Sequence, residues 1–169
     1  VIVLTPEEME EGRLCGGERL SRARRKSLKD KIGEPSLSSH VMGAQGERAA
    51  YKWLGEPWVC TTGLYGKPDV RGLQIRTVPR TGDGLKIRPS DGDRVPVVLI
   101  VQRPAAPDRL WIRGWIFAKE GRAIGEVRDP GNRGYPAVYV NPSDLRPIET
   151  LHRNDRARAA MSLPPLSET

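Results

Sequence analysis

The sequence predicts a single α/β domain with a mixed central sheet flanked by helices and an extra basic helix at its N-terminus. Three observations carry this. A chain of 169 residues suits one core. The run Val95–Gln102 is nearly all apolar, as expected of a strand covered on both faces. A helix-period stretch precedes a series of short extended runs broken by Gly, Pro and Asp.

Thr5-Pro6-Glu7-Glu8 is a helix start, with Thr5 as cap, Pro6 in the first turn and Glu8 closing a capping box. The spacing predicts a helix to about Ile32, weakened in its first half by Gly12, Gly16 and Gly17. Its second half carries Arg19, Arg22, Arg24, Arg25, Lys26, Lys29 and Lys31, so residues 1–38 read as a basic arm and linker. That arm suits either a solvated surface or a duplex backbone. A second helix follows over about Val41–Leu54 and stops at Gly55.

Extended runs are then expected at Trp58–Thr61, Pro68–Arg71, Leu73–Val78, Leu85–Arg88, Val95–Gln102, Leu110–Ala118 and Ala137–Val140. A helical turn is expected at Ala123–Arg128, and a basic helix over about Ile148–Met161. The domain proper then spans 39–151, and 152–169 reads as a polar tail. Trp53, Trp111 and Trp115 suit the core, while Trp58 is undecided.

Composition narrows the chemistry. Two histidines and two cysteines without ligand spacing argue against zinc or Ser-His catalysis, so a hydrolase here must work with carboxylates. Cys15 and Cys60 are expected as unpaired thiols of a reducing cytosol. No apolar run spans a bilayer and Val1–Thr5 lacks a secretory-signal layout, so a cytoplasmic protein without a membrane partner is expected. The net charge of +7 favours a polyanionic partner.

On a helical wheel Glu47 falls among Gly43, Ala50 and Leu54 on the inward stripe, with Arg48 and Lys52 opposite. An inward carboxylate needs an internal cation or a bound metal ion. In the strand from Leu73, Gln74 and Arg76 share one face and Leu73 and Ile75 the other. The turn at Arg71-Gly72 returns Asp69 beside Gln74. If that polar face lies beneath Glu47, the four side chains form an oxygen-rich pocket. The bland alternative is a surface hairpin.

The order Gly-x-x-Gly-Glu on a helix, Pro68-Asp69, then a hairpin into Gln74-Ile75-Arg76 resembles the PD-(D/E)XK nucleases over roughly residues 39–151. Val97–Val101, Trp111–Ile116 and the ending Asp144–Ile148 are also similar to uncharacterised phage and prophage members. The resemblance implies a restriction-endonuclease-like fold and a DNA hydrolase dependent on Mg2+ or Mn2+. Glu47, Asp69, Gln74 and Arg76 would be catalytic; Glu47, Asp69, Gln74 and the Ile75 carbonyl would hold the metal. Gln74 stands where Glu is usual and Arg76 where Lys is usual, and no helix is evident between Arg76 and Val95, where many members have one. Lys86 is a candidate substitute ammonium.

DNA contacts are expected from Arg22, Arg25 and Lys29 on the arm, from Arg48, Lys52, Lys67 and Arg71, and from Arg80 and Lys86. A homo-oligomer is compatible with this reading, as is location in a bacterial host cell or a virion. Two rivals stand beside it. One is a catalytically degenerate nuclease-fold protein that binds DNA or serves a virion or packaging role. The other is a small RNA-binding domain, disfavoured by a single Phe and no aromatic-rich strand.

Overall fold

The computed structural model describes residues 1–25, 36–62, 68–130, 134 and 136–162. Its elements are β1 (Ile2–Val3), α1 (Pro6–Arg25), α2 (Leu37–Leu54), β2 (Gln74–Val78), β3 (Leu85–Ile87), β4 (Pro96–Gln102), β5 (Arg109–Phe117), α3 (Ala118–Ile124), β6 (Glu126–Arg128), β7 (Ala137–Val140) and α4 (Asp155–Ala160). The fold is mixed α/β with two sheets.

β4 is buried along its whole length, as its apolar run requires, and lies at the centre of a four-stranded mixed sheet ordered β1-β5-β4-β2. β2 runs parallel to it and β5 antiparallel. The expected runs at Leu85–Ile87 and Ala137–Val140 are strands outside the central sheet and form, with β6, a second antiparallel sheet ordered β3-β7-β6. Leu85, Ile87 and Val140 bury their side chains against Val97, Leu99 and Ile116 of the central sheet. The opposite face packs Val98, Ile100 and Trp115 against Ala49 and Ala50 of α2, with Leu151, Ala157 and Met161 near α4. Much of the segment expected as a polar tail therefore closes the core. Trp111 is only half-buried.

α1 begins with the predicted capping box, Thr5 N–H donating to Glu8 at 2.8 Å and Glu8 N–H to the Thr5 hydroxyl at 3.3 Å. It is not a separate arm but lies along α2, and the glycines expected to weaken it explain why. A Cβ at Gly12 would come within 2.5 Å of Gln45, and one at Gly16 within 2.6 Å of the Val41 backbone. A missing side chain lets two helices approach closely, which outweighs the propensity lost. α2 starts at Leu37, four residues earlier than expected, because the Ser36 hydroxyl accepts the Ser39 N–H as an N-cap. It ends at Gly55 with φ 70°.

Cys15 and Cys60 form a disulfide, which overturns the expectation of two free thiols. It ties α1 to the segment after α2 across 45 residues of sequence. The argument from idle thiols to a reducing compartment falls with it. Trp58–Thr61 joins no sheet. Ala123–Arg128 is the end of α3 followed by β6. The C-terminal helix is a 3-10 turn at Ile148–Thr150 and then the short α4. Among the described residues no helix is long and apolar enough to cross a membrane.

Asp69 reaches β2 through a two-residue turn. Leu73 N–H donates to the Val70 carbonyl at 2.7 Å and Asp69 N–H to the Leu73 carbonyl at 2.8 Å. Arg71 and Gly72, at φ 40° and 76°, both occupy the left-handed region that this tight reversal needs. A Cβ at Gly72 would also overlap the Ala160 carbonyl oxygen at the end of α4. Gly72→Ala is expected to cost about 2 kcal/mol or more, from backbone strain plus displacement of α4. Urea unfolding of the purified variant checks this; a loss under 0.5 kcal/mol, a rough margin for surface changes, contradicts it.

Candidate active site

β2 alternates its side chains, and its parallel register fixes which way each points. Ile75 pairs with Val98 and Arg76 with Leu99. Ile75 thus joins the core shared with α2, and Arg76 faces the small sheet. The expected arrangement, with Gln74 and Arg76 beneath Glu47 on one face, is therefore corrected. The candidate groups meet around the head of β2 instead.

Asp69 is the hinge of that cluster. One oxygen, Oδ2, accepts the Ile75 N–H at 2.8 Å and the Gln74 side-chain N–H at 2.5 Å. The Arg76 guanidinium stands 3.8 Å from the same oxygen. Burial pushes the Asp69 carboxyl up, against the pull of the Ile75 N–H and the Arg76 charge. Arg76 is held from three sides. It donates to both Asp91 oxygens at 2.8 and 2.9 Å, to the Lys86 carbonyl at 3.2 Å and to the Ile75 carbonyl at 3.1 Å. Burial pulls its pKa down, helped by the neighbouring Arg88 charge, yet a guanidinium remains charged at any working pH.

Glu47 lies across the sheet edge, and its side chain is 8% exposed. Both its oxygens accept from Arg19 on α1, at 2.7 and 2.5 Å. Arg19 also donates to the Thr61 carbonyl at 3.1 Å. Burial raises the Glu47 pKa from 4.5 to about 6, with Arg19 opposing and the Asp69 charge adding to the rise. Asp69 and Arg76 thus lie within electrostatic reach of Glu47, but the carboxylate's direct partner is a guanidinium.

The donor set bears on the implied metal. Among the described residues no three His, Cys, Asp or Glu side chains gather as a cation cage. Asp69 keeps its second oxygen, and Gln74 its side-chain oxygen, without a hydrogen-bond donor in the described chain. The Ile75 carbonyl points into the same cluster through Arg76. Magnesium typically takes one or two carboxylates and completes its shell with waters and substrate phosphate. The spare oxygens of Asp69 and Gln74 fit such a weakly held ion, whereas the Ile75 carbonyl already accepts from Arg76. Glu47, engaged by Arg19, is not a direct ligand in this arrangement.

Four of the nine cations expected to touch DNA are already paired with acids. Arg22 pairs with Glu18 at 2.7 Å, Arg48 with Glu8 and Glu11 at 2.8 and 2.9 Å, and Lys52 with Glu8 at 2.6 Å. Arg71 pairs with Glu56. Arg25 is exposed on α1, and Arg80 lies beyond the far end of β2 from Asp69. Lys86 contributes only its carbonyl to the cluster. Its ammonium points out of the small sheet, over the Tyr139 ring at 5.9 Å, so it is no substitute ammonium at Asp69. Lys29 and Lys67 lie outside the described residues.

Sequence reasoning missed Arg19 and Asp91. Arg19 had a signal, since Gly12, Gly16 and Arg19 share one helical face. Asp91, in a Ser-Asp-Gly-Asp loop, had none. Nothing matches the chain among family models, curated proteins or solved structures.

The raised Glu47 pKa has a definite sign in stability. The folded state binds this proton more tightly than the unfolded chain. Its contribution is full below about pH 4.5 and is lost as pH rises through about 6. Glu47→Gln removes that loss. Relative to wild type the variant is expected to gain roughly 2 kcal/mol between pH 4.5 and 7, read by urea unfolding at several pH values. A pH-independent difference would show that Glu47 ionises normally.

Proposed function

We propose that the chain is a nuclease-like domain of PD-(D/E)XK type that hydrolyses phosphodiester bonds of DNA with Mg2+ or Mn2+. The observation carrying this is the convergence of Asp69, Gln74 and Arg76 at the head of β2, with Glu47 and Arg19 across the edge. A bound divalent ion would supply an acidic water and polarise a phosphoryl oxygen. Asp69 and Gln74 would place that ion, their spare oxygens being the available donors. Arg76, with one guanidinium edge locked on Asp91, presents its other edge beside Asp69, where it offsets charge on a phosphoryl group. It keeps its charge and cannot serve as a base.

No element among the described residues carries a base-reading pattern, so action directed by DNA structure rather than sequence fits the reading. The resemblance to phage and prophage proteins suggests work inside a bacterial host cell.

One observation favours a second reading, a DNA-binding protein that kept the site without its chemistry. Both Glu47 oxygens are held by Arg19, and Gln74 replaces a carboxylate with an amide. Incubation of the full chain with duplex, nicked and branched DNA in Mg2+ or Mn2+ separates the two. Cleavage that falls at least 100-fold in Asp69→Ala, and stops on chelation, is the expected result. Cleavage surviving Asp69→Ala overturns the site. DNA binding without any cleavage in Mn2+ selects the second reading.

A further inference from the structure

A groove of about 700 Å³ opens between the loop before β4, the β5–α3 junction and α4. Its floor is Phe117, Ala159 and Ala160, and its rim carries Arg94, Lys119 and Arg156. All three cations are exposed. None forms an ion pair or side-chain hydrogen bond among the described residues, unlike Arg22, Arg48, Lys52 and Arg71. The two acids on the rim are each answered from outside it, Asp93 by Arg122 and Glu120 by Arg146 at 2.7 Å. The groove therefore presents three cations without a salt bridge among the described residues around an open channel, Arg156 lying within electrostatic reach of Glu120. Solvated cations released from internal pairing are what a polyanion recruits.

Its place in the fold adds the second observation. β2 and β4 run parallel, with Gln74 beside Val97, and Pro96 sits beside Phe117. The groove is thus at the same end of the sheet as Asp69. Two strand spacings separate the head of β2 from β5, roughly 10 Å. The wall between them is the end of α4, where Ala160 abuts Gly72 in the turn that carries Asp69. A nucleic-acid backbone lying in the groove would continue across that wall onto the candidate site within about three nucleotide steps along one strand.

We propose that this groove, through Arg94, Lys119 and Arg156, is the docking track for the phosphodiester backbone of DNA next to the Asp69 site. The proposal rests on DNA as the partner, not on whether the site cleaves. It replaces the arm and the outer face of α2 as the principal electrostatic contact.

The test is fluorescence anisotropy with a labelled 20-base-pair duplex, from 50 to 200 mM salt, on the full chain. Each phosphate neutralised contributes about 0.9 to the slope of log affinity against log salt. A triple variant, Arg94→Ala with Lys119→Ala and Arg156→Ala, is expected to lower that slope by about 2.7, and affinity at low salt on the order of tenfold or more. The positions are exposed, so an unchanged melting curve is expected to accompany the loss. Arg22→Ala with Arg25→Ala is the comparison pair and is expected to change the slope by less than about 1.

Wild-type affinity in the triple variant, or loss confined to the comparison pair, overturns the groove. Failure of the wild-type chain to bind the duplex overturns it as well. Asp69→Ala keeps the outcomes for groove and site apart. Cleavage lost in Asp69→Ala with unchanged binding in the triple variant leaves the nuclease reading standing and removes the groove. Binding lost in the triple variant of a chain that never cleaves does the reverse.

Discussion

The register of β2 against β4 governs everything chemical in this molecule. Because the two strands pair in parallel from Gln74 beside Val97, and because side chains alternate, Ile75 must enter the core under α2. Gln74 and Arg76 must then point to the other layer. No one-residue slip is tolerated, since it would bury Arg76 beneath Ala49 and Ala50 and expose Ile75. A pocket assembled on one face of the sheet is therefore ruled out, and the polar groups gather around the strand's end. Asp69, returned by the tight turn at Arg71-Gly72, is the residue placed to be felt from both layers.

The electrostatics of the cluster follow from that geometry. Arg19 and Arg76 face Glu47, Asp69 and Asp91 in a largely buried setting, so five charged groups come close to balance without a metal. A glutamate at 74 would set another carboxylate against the Asp69 oxygen that Gln74 now meets at 2.5 Å. Two ionised carboxylates at that separation require a cation or a shared proton. Gln74 instead donates a hydrogen bond to that oxygen. A glutamine at this position thus makes the metal-free fold self-consistent. Burial still pushes the Glu47 and Asp69 carboxyls up despite the guanidinium neighbours, because desolvation outweighs the attraction.

Elements with strong local signals were legible in the sequence. The capping box at Thr5–Glu8, the left-handed stop at Gly55, the all-apolar β4 and its neighbour β5 were each written in a few adjacent residues. So were the turn before β2 and the inward position of Glu47. What was not legible depended on distant partners. The disulfide joins residues 45 apart, and the small sheet pairs β3 with β7 across 49 intervening residues, a non-local pairing that alternation alone cannot assign. Gly12 and Gly16 were misread because propensity is a local quantity, while their value lies in the helix they touch. The facing of β2 was missed for the same reason: alternation fixes which residues go together, and only the packed layers decide which side they meet.

That distinction between local and distant partners also separates positive charge from available positive charge. A net +7 says a polyanion is welcome, but most of the obvious cations on α1 and α2 stand near acids that the fold brings to them. Glu8 alone engages both Arg48 and Lys52, and the acids of the first turns of α1 thereby screen the outer face of α2. Counting basic residues along the chain therefore does not show which of them are free of internal acids. Arg94, Lys119 and Arg156, scattered over more than 60 positions in sequence, are cations without a salt bridge among the described residues that the fold gathers around one groove. A phosphate backbone senses the field that remains after pairing, and it is the tertiary structure, by choosing the pairs, that draws that field.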